Sequence, residues 1–186
     1  MYYRMRVAGL DRDLPICPVT DTLYIAGFVI FGDPELTCAC AEKLLEKTKD
    51  LGYDYLLAPE AKAIPLIHEM ARQSGAKKYF LARKAPKLYM TGIMEVNVKS
   101  ITTAKEQTLY LDVADAEMMK GKKILLVDDV ISTGESLHAL EVLVEKAGGI
   151  VSGRCAILAE GDAQDRDDLT YLEKLPLFNA KGEIIG

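Results

Sequence analysis

Two adjacent carboxylates, Asp128 and Asp129, follow the branched apolar residues 124–127 and precede a short loop rich in hydroxyl side chains and glycine. Ionised carboxylates can only accept hydrogen bonds, so they suit the hydroxyl groups of a ribose. Backbone N–H groups at the start of a helix attract an anion, and small residues let a phosphate approach the backbone. The loop adds hydroxyl donors from Ser132, Thr133 and Ser136. This order of residues predicts a site for a sugar phosphate.

Residues 124–136 resemble the phosphoribosyl-diphosphate (PRPP) signature of the type I phosphoribosyltransferases. That signature is an apolar strand, two acidic residues, two apolar residues and a small loop containing Thr-Gly. The resemblance implies that Asp128 and Asp129 act as the catalytic pair and position the ribose. It also implies that PRPP is bound by the acid pair and the residues that follow it: Val130, Ile131, Ser132, Thr133, Gly134, Glu135 and Ser136.

The spacing of apolar residues predicts the elements that position this loop. Strands are predicted over residues 53–58, 78–82, 124–127 and 150–158, and helices over residues 34–51, 61–74 and 137–147. Strands and helices alternate, which favours an α/β fold with a doubly wound, mostly parallel sheet. Ligands of such sheets bind beyond the carboxyl ends of the strands.

Two segments depart from this alternation. Residues 94–99 and 108–113 each alternate apolar and polar side chains. A period of two in neighbouring segments predicts an antiparallel β-hairpin. The hairpin would be an insertion in the parallel sheet, and residues 85–113 would form a hood.

Two further segments resemble the adenine/xanthine group of the family. Pro59-Glu60-Ala61-Lys62 is similar to that group's diphosphate loop, which implies PRPP contacts from Glu60, Ala61 and Lys62. The sequence Arg83-Lys84-Ala85-Pro86-Lys87-Leu88 is similar to an Arg-Lys-x-x-Lys-Leu segment, which implies diphosphate contacts from Arg83, Lys84 and Lys87. Arginine suits bidentate phosphate contact and lysine acts as a point charge. A hood that closes over these residues would exclude water.

The base is expected against the apolar residues 26–31, where Phe28, Val29 and Phe31 would form the base-binding slot. The opening of the chain resembles the adenine enzymes. The hood is closer to the xanthine enzymes, because Ile101, Thr102 and Thr103 stand where adenine enzymes place a Glu. Xanthine enzymes carry a Lys after the acid that matches Glu160, and this chain has Gly161 there. The resemblance favours adenine and leaves xanthine or hypoxanthine as the alternative.

Composition limits the class of protein. A chain of 186 residues with 49% hydrophobic and 27% charged residues fits one soluble globular domain, residues 1–186. No run approaches the roughly 20 apolar residues that span a bilayer, and the start of the chain is not a signal peptide. The net charge of −5 predicts no nucleic-acid partner. The spacing of Cys17, Cys38, Cys40 and Cys155 matches no zinc pattern and fits reduced thiols in the cytoplasm.

The resemblance implies transfer of the 5-phosphoribosyl group of PRPP to a purine, giving a nucleoside 5′-monophosphate and diphosphate. It implies Mg²⁺ as cofactor, held mainly by PRPP and water with no direct protein ligand, and a homodimer without membrane partners. A regulator that binds PRPP without turnover remains an alternative. An orotate enzyme would need cationic residues for the carboxylate, and residues 26–31 offer none.

Overall fold

The structure is a computed structural model that describes residues 1–99 and 106–185. Its strands are β1 (Tyr2–Val7), β2 (Leu10–Pro18), β3 (Tyr24–Ala26), β4 (Tyr55–Pro59), β5 (Phe80–Ala82), β6 (Ile93–Lys99), β7 (Glu106–Asp112), β8 (Lys123–Ile131), β9 (Ile150–Glu160), β10 (Thr170–Leu175) and β11 (Leu177–Phe178). Its helices are α1 (Pro34–Thr48), α2 (Ile64–Ser74), α3 (Val113–Met119) and α4 (Glu135–Lys146), and a 3₁₀ helix covers Gly161–Asp165.

A five-stranded sheet in the order β10-β9-β8-β4-β5 forms the centre of the molecule. All four of its strand pairings are parallel. Leu125 and Val127 of β8 face one core cluster together with residues of α1 and α2. Ile124 and Leu126 face a second cluster together with residues of α4 and the hairpin. Both faces of the sheet are therefore covered, and the predicted doubly wound α/β fold is confirmed.

Helix α1 begins where the sequence predicts. The side chain of Asp33 accepts a hydrogen bond from the backbone N–H of Leu36 at 3.0 Å, and Pro34 occupies the first helical turn. Arg12 of β2 donates to Asp33 at 2.6 Å, and this hydrogen bond lowers the pKa of Asp33. The pair joins the amino-terminal strands to the parallel part of the fold.

Several predicted boundaries move. Helix α1 ends at Thr48 rather than before Gly52, and α2 begins at Ile64 because residues 61–63 form a turn. Strand β8 continues to Ile131, so the acid pair lies within the strand instead of after it. Pairing of Val130 with Leu158 and of Ile131 with Ala159 of β9 holds this extension in the sheet.

A second sheet, in the order β1-β2-β3-β11, was not predicted. It is antiparallel and brings β11, near the carboxyl end of the chain, against β3. Such long-range pairing has no local signature in either segment. Strand β3 of this sheet ends at Ala26 and leads directly into residues 27–31.

The hairpin hood is confirmed. Strands β6 and β7 are antiparallel from Ile93 opposite Asp112 to Lys99 opposite Glu106. Backbone hydrogen bonds of 2.8 Å in both directions between Arg83 and Tyr110 tie β7 to the segment after β5. The predicted features at Ile101, Thr102 and Thr103 lie outside the described residues. Within the described residues, no helix is both long and apolar enough to cross a bilayer.

Candidate active site

The acid pair lies at one end of a small cleft. Asp128 and Asp129 are only 7% and 2% exposed, and the N–H of Asp129 donates to Asp128 Oδ1 at 2.8 Å. A cavity of about 150 Å³ opens above them. Its lining comes from the end of β4 and the loop after it, the segment after β5, the hood, the end of β8 and the start of α4: Pro59, Glu60, Ala61, Lys62, Lys84, Gln107, Asp128, Asp129, Val130 and Ser136. The predicted acid pair and diphosphate loop therefore meet in one cleft.

The two carboxyl groups affect each other. Burial raises the pKa of Asp128 well above its usual range, and the charge of Asp129 raises it further. Lys62 Nζ lies 2.9 Å from Asp129 Oδ2. Among the described residues that line the cleft, three carboxyl groups (Glu60, Asp128 and Asp129) meet two lysines (Lys62 and Lys84). Carboxylate oxygens in such a cleft suit a divalent cation or the hydroxyl groups of a sugar.

The loop after β4 is held by the neighbouring strand. The N–H of Glu60 donates to the carbonyl of Ala82 at 2.8 Å, and the Glu60–Ala61 peptide bond is cis. The Glu60 carboxylate accepts the backbone N–H of Lys84 at 3.1 Å and lies 3.3 Å from Arg83 Nε. Glu60 thus fixes the basic segment against the diphosphate loop.

The predicted basic residues do not share one surface. Lys84 lines the cleft of the acid pair. Arg83 instead lines a separate cavity of about 350 Å³ with Tyr89 and Met90, and its guanidinium lies 6.0 Å from the Tyr89 ring centroid. Lys87 lines neither cavity, and its backbone N–H donates to Met90 Sδ at 3.5 Å.

The loop between β8 and α4 has the form that an anion site needs. Gly134 is the N-cap residue of α4 and has a positive φ of 77°. Because glycine has no side chain, it makes no capping hydrogen bond to the first turn of the helix. The positive φ favours glycine here, and a Cβ at this position would also lie 2.9 Å from Arg166 Nη1, at the end of a flexible side chain. Arg166 was not identified from the sequence, because it lies in an acidic segment with no recognised motif.

The predicted base-binding residues divide between two environments. Phe28 and Ile30 belong to the core, at 5% and 0% exposure. Val29 and Phe31 alternate with them and are 56% and 48% exposed. The structure therefore brings Val29 and Phe31 to the surface and leaves Phe28 as a packing residue. Exposure alternates from residue to residue between Phe28 and Phe31, and such alternation could have been found from the sequence.

A further carboxyl group lies at the same edge of the sheet. Glu160 ends β9, is 9% exposed, and its pKa is raised by burial while Lys62 opposes that rise. Among the described residues, no group of three or more His, Cys, Asp or Glu side chains is arranged to hold a metal ion.

Comparison with known proteins gives a family match over most of the chain. Residues 34–179 match the phosphoribosyl transferase domain family. The chain is 33% identical over 162 residues to an adenine phosphoribosyltransferase of Pseudothermotoga lettingae, covering 87% of this chain and 86% of that protein. Identity to the enzyme of the same name from Thermotoga maritima is 33% over 172 residues, covering 92% and 90%.

The fold also matches solved structures. An adenine phosphoribosyltransferase from Thermoanaerobacter pseudethanolicus superimposes with a TM-score of 0.72 at 21% identity, covering 87% of this chain and 95% of that chain. One from Rhodothermus marinus gives a TM-score of 0.71 at 22% identity, covering 87% and 94%. The family match spans most of the chain and includes the acid pair and its loop, so this protein belongs to the phosphoribosyltransferase family and is a pentosyltransferase.

Proposed function

We propose that this protein transfers the 5-phosphoribosyl group of PRPP to adenine, giving AMP and diphosphate, as a step of purine salvage. The observation that carries the proposal is the buried pair Asp128 and Asp129 in one cleft with the loop after β4 and with Ser136. The names of the relatives support adenine as the base.

In this proposal each part of PRPP has its own partner in the cleft. The carboxylates of Asp128 and Asp129 accept hydrogen bonds from the ribose hydroxyls. The backbone and hydroxyls of residues 132–136 bind the 5′-phosphate at the start of α4. The loop from Glu60 to Lys62, together with Lys84, faces the diphosphate. Lysine charges there stabilise the negative charge that grows on the leaving group.

The reaction breaks the bond between C1′ and the diphosphate oxygen and forms a bond from C1′ to the base nitrogen. Positive charge develops on the ribose ring while it is transferred. The acid pair lies beneath the sugar in this arrangement, so its negative charge favours that transition state. Most of the rate enhancement is then expected from positioning and electrostatics.

The donor set fits Mg²⁺ bound through the substrate. Within the part of the chain that the structure describes, Asp129 Oδ2 is buried and accepts no well-directed hydrogen bond, and the pKa of Asp128 is raised by burial and by its neighbour. Such oxygens are hard ligands that gain from a nearby divalent cation. Asp128 and Asp129 would hold water or ribose hydroxyls of a magnesium–PRPP complex, and the cation would neutralise the diphosphate.

The choice of base follows from the groups that a purine could reach. Val29 and Phe31 are exposed apolar side chains, which suit a neutral flat ring. Xanthine carries a polar oxygen at C2, and Gly161 offers no side-chain donor for it. A buried oxygen without a partner costs about 1–3 kcal/mol, enough for roughly tenfold discrimination.

The test is release of diphosphate from PRPP with adenine, hypoxanthine, guanine and xanthine in parallel. Adenine should give the highest kcat/KM. A higher kcat/KM for xanthine would make xanthine the preferred base and would leave the proposed phosphoribosyl transfer unchanged. That result would agree with the absence of a Glu among hood residues 101–103. Binding of PRPP without turnover of any base would identify a regulator instead.

We also propose that the protein is a cytoplasmic homodimer. Leu88 and Tyr89 are apolar side chains at 107% and 69% exposure directly after the basic segment, as expected of a surface that a second copy covers. All four cysteines are free thiols, which suits a reducing compartment. Sedimentation of the purified protein should give twice the mass of one chain.

A further inference from the structure

The guanidinium of Arg166 lies against the turn that begins α4. A Cβ built on Gly134 would be only 2.9 Å from Arg166 Nη1, so this nitrogen lies beside the turn on the side where a side chain would project. Arg166 follows the 3₁₀ helix, about thirty residues further along the chain. Its side chain is 32% exposed, and a ligand on the loop could therefore reach it from solvent.

The orientation of Arg166 is set by Asp168. Arg166 Nε donates to Asp168 Oδ1 at 2.9 Å, and Nη2 donates to Oδ2 at 2.8 Å. Such a bidentate pair uses one edge of the planar guanidinium and fixes its direction. The remaining nitrogen, Nη1, is the one that faces Gly134.

A second arginine anchors the same carboxylate. Arg154 Nε of β9 lies 3.4 Å from Asp168 Oδ2 and donates to Glu141 Oε1 of α4 at 2.5 Å. A network of ion pairs therefore links Glu141 of α4 to Arg154 of β9, and through Asp168 to Arg166. A side chain held in place before a ligand arrives loses less entropy on binding.

The loop itself supplies no positive charge. Residues 132–136 read Ser-Thr-Gly-Glu-Ser, with hydroxyls, backbone N–H groups and one acid. A phosphate with close to two negative charges would meet only neutral donors there, beside an acidic side chain. Arg166 Nη1 is a cationic donor at the same turn.

We infer that Arg166 binds the 5′-phosphate of PRPP through Nη1 and that Asp168 is its positioning residue. The inference rests on the proposed function, because that function places the phosphate on residues 132–136. It adds the cation that this loop lacks. Arg166 is then a substrate-binding residue that affects PRPP affinity more than the chemical step.

The test compares two anions that occupy different parts of the cleft. Binding of ribose 5-phosphate and of diphosphate is measured by calorimetry for the wild type and for Arg166→Gln. We expect the affinity for ribose 5-phosphate to fall about tenfold or more, the size expected for a hydrogen bond to a charged group. Affinity for diphosphate should stay within about twofold, since the contacts of the Arg166 side chain among the described residues are with Asp168 and the Gly134 turn rather than with the loop after β4. The KM for PRPP should rise more than kcat falls.

Two variants separate this role from a structural one. Arg166→Lys keeps the charge and loses the bidentate fork. Its affinity for ribose 5-phosphate should therefore lie between that of the wild type and that of Arg166→Gln. Asp168→Asn keeps Arg166 and weakens its anchor, so it should lose affinity by a smaller factor. Arg72→Gln is the matched control, because Arg72 makes the same two-nitrogen contact to Glu69 on α2.

The outcomes distinguish the two proposals. If the wild type binds ribose 5-phosphate and Arg166→Gln binds it equally well, the inference about Arg166 is wrong and the proposed function stands. Equal losses for ribose 5-phosphate and diphosphate would also overturn it. If the wild type binds no ribose 5-phosphate, the assignment of residues 132–136 fails, and the role of Arg166 fails with it. Should Arg166→Gln not fold, Asp168→Asn and Arg166→Lys decide by the same comparison.

Discussion

Lys62 Nζ lies 2.9 Å from Asp129 Oδ2 and so joins the loop after β4 to the end of β8. Lys62 is 52% exposed, whereas the Asp129 side chain is 3% exposed. The contact therefore brings a half-exposed cation to a buried carboxylate. In the proposed reaction the lysine can stay beside the ribose or turn towards the leaving diphosphate.

Lys62→Gln should raise the KM for PRPP and weaken inhibition by diphosphate, each about tenfold, because a charge-assisted contact is lost at the leaving group. Steady-state kinetics with varied PRPP and added diphosphate measure both effects. The thermal midpoint should also fall, because the change leaves the buried Asp129 carboxylate without the cation beside it. Lys43→Gln on the exposed face of α1 is the control, and unchanged kinetics in Lys62→Gln would exclude Lys62 from the site.

Asp128→Asn and Asp129→Asn should each lower kcat by about tenfold or more, equivalent to roughly 1.4 kcal/mol of barrier. The physical reason is loss of negative charge beneath a ribose that becomes positive. Both replacements are nearly isosteric, so circular dichroism should show an unchanged fold. Asp21→Asn, at an exposed position between β2 and β3, serves as control. Wild-type kinetics in both variants would show that this loop is not the PRPP site.

Asp128→Asn should also make the free protein more stable near neutral pH. Burial, then the charge of Asp129, raises the pKa of Asp128. A carboxyl whose folded pKa exceeds its unfolded value destabilises the fold as pH rises between the two values, and the full cost persists above them. Asparagine carries no such cost. The melting temperature at pH 7 to 8 should rise by about 2–4 °C, the shift that about 1 kcal/mol produces in a chain of this size.

The pH dependence provides the check on that stabilisation. Below about pH 3 the carboxyl is largely protonated in both the folded and the unfolded chain, so the two melting curves should converge. Calorimetric scans from about pH 3 to 8 without ligand would measure this. A difference that stays constant across that range would mean that the gain does not come from ionisation of Asp128.

Amide hydrogen exchange should show whether the hood, taken here as residues 88–108, closes over the cleft when ligands bind. Its strands pack on α4 through Val96, Leu109 and Leu111, while Gln107 lines the cleft. Bound PRPP, Mg²⁺ and a base analogue would contact that lining, so exchange in residues 93–98 and 107–112 should slow about tenfold or more. Amides in the middle of β9 should not change. Equal protection with and without ligand would argue against a hood that closes.

The sequence by itself determined the parts of the site that are local. The acid pair, the hydroxyl loop and the start of α4 are consecutive, and a buried parallel strand followed by a helix needs only short-range patterns to be recognised. The hairpin was equally visible, because alternation with a period of two extends over both β6 and β7. The end of β8 was not predicted correctly, because pairing with β9 extends this strand four residues beyond the predicted end at residue 127.

Only the tertiary structure decided which distant residues meet. It placed Lys62 on Asp129, separated Arg83 from Lys84, and set Arg166 against Gly134. It also paired β3 with β11 from the two ends of the chain. None of these contacts has a local pattern, because each depends on how all the elements between its partners pack around the central sheet.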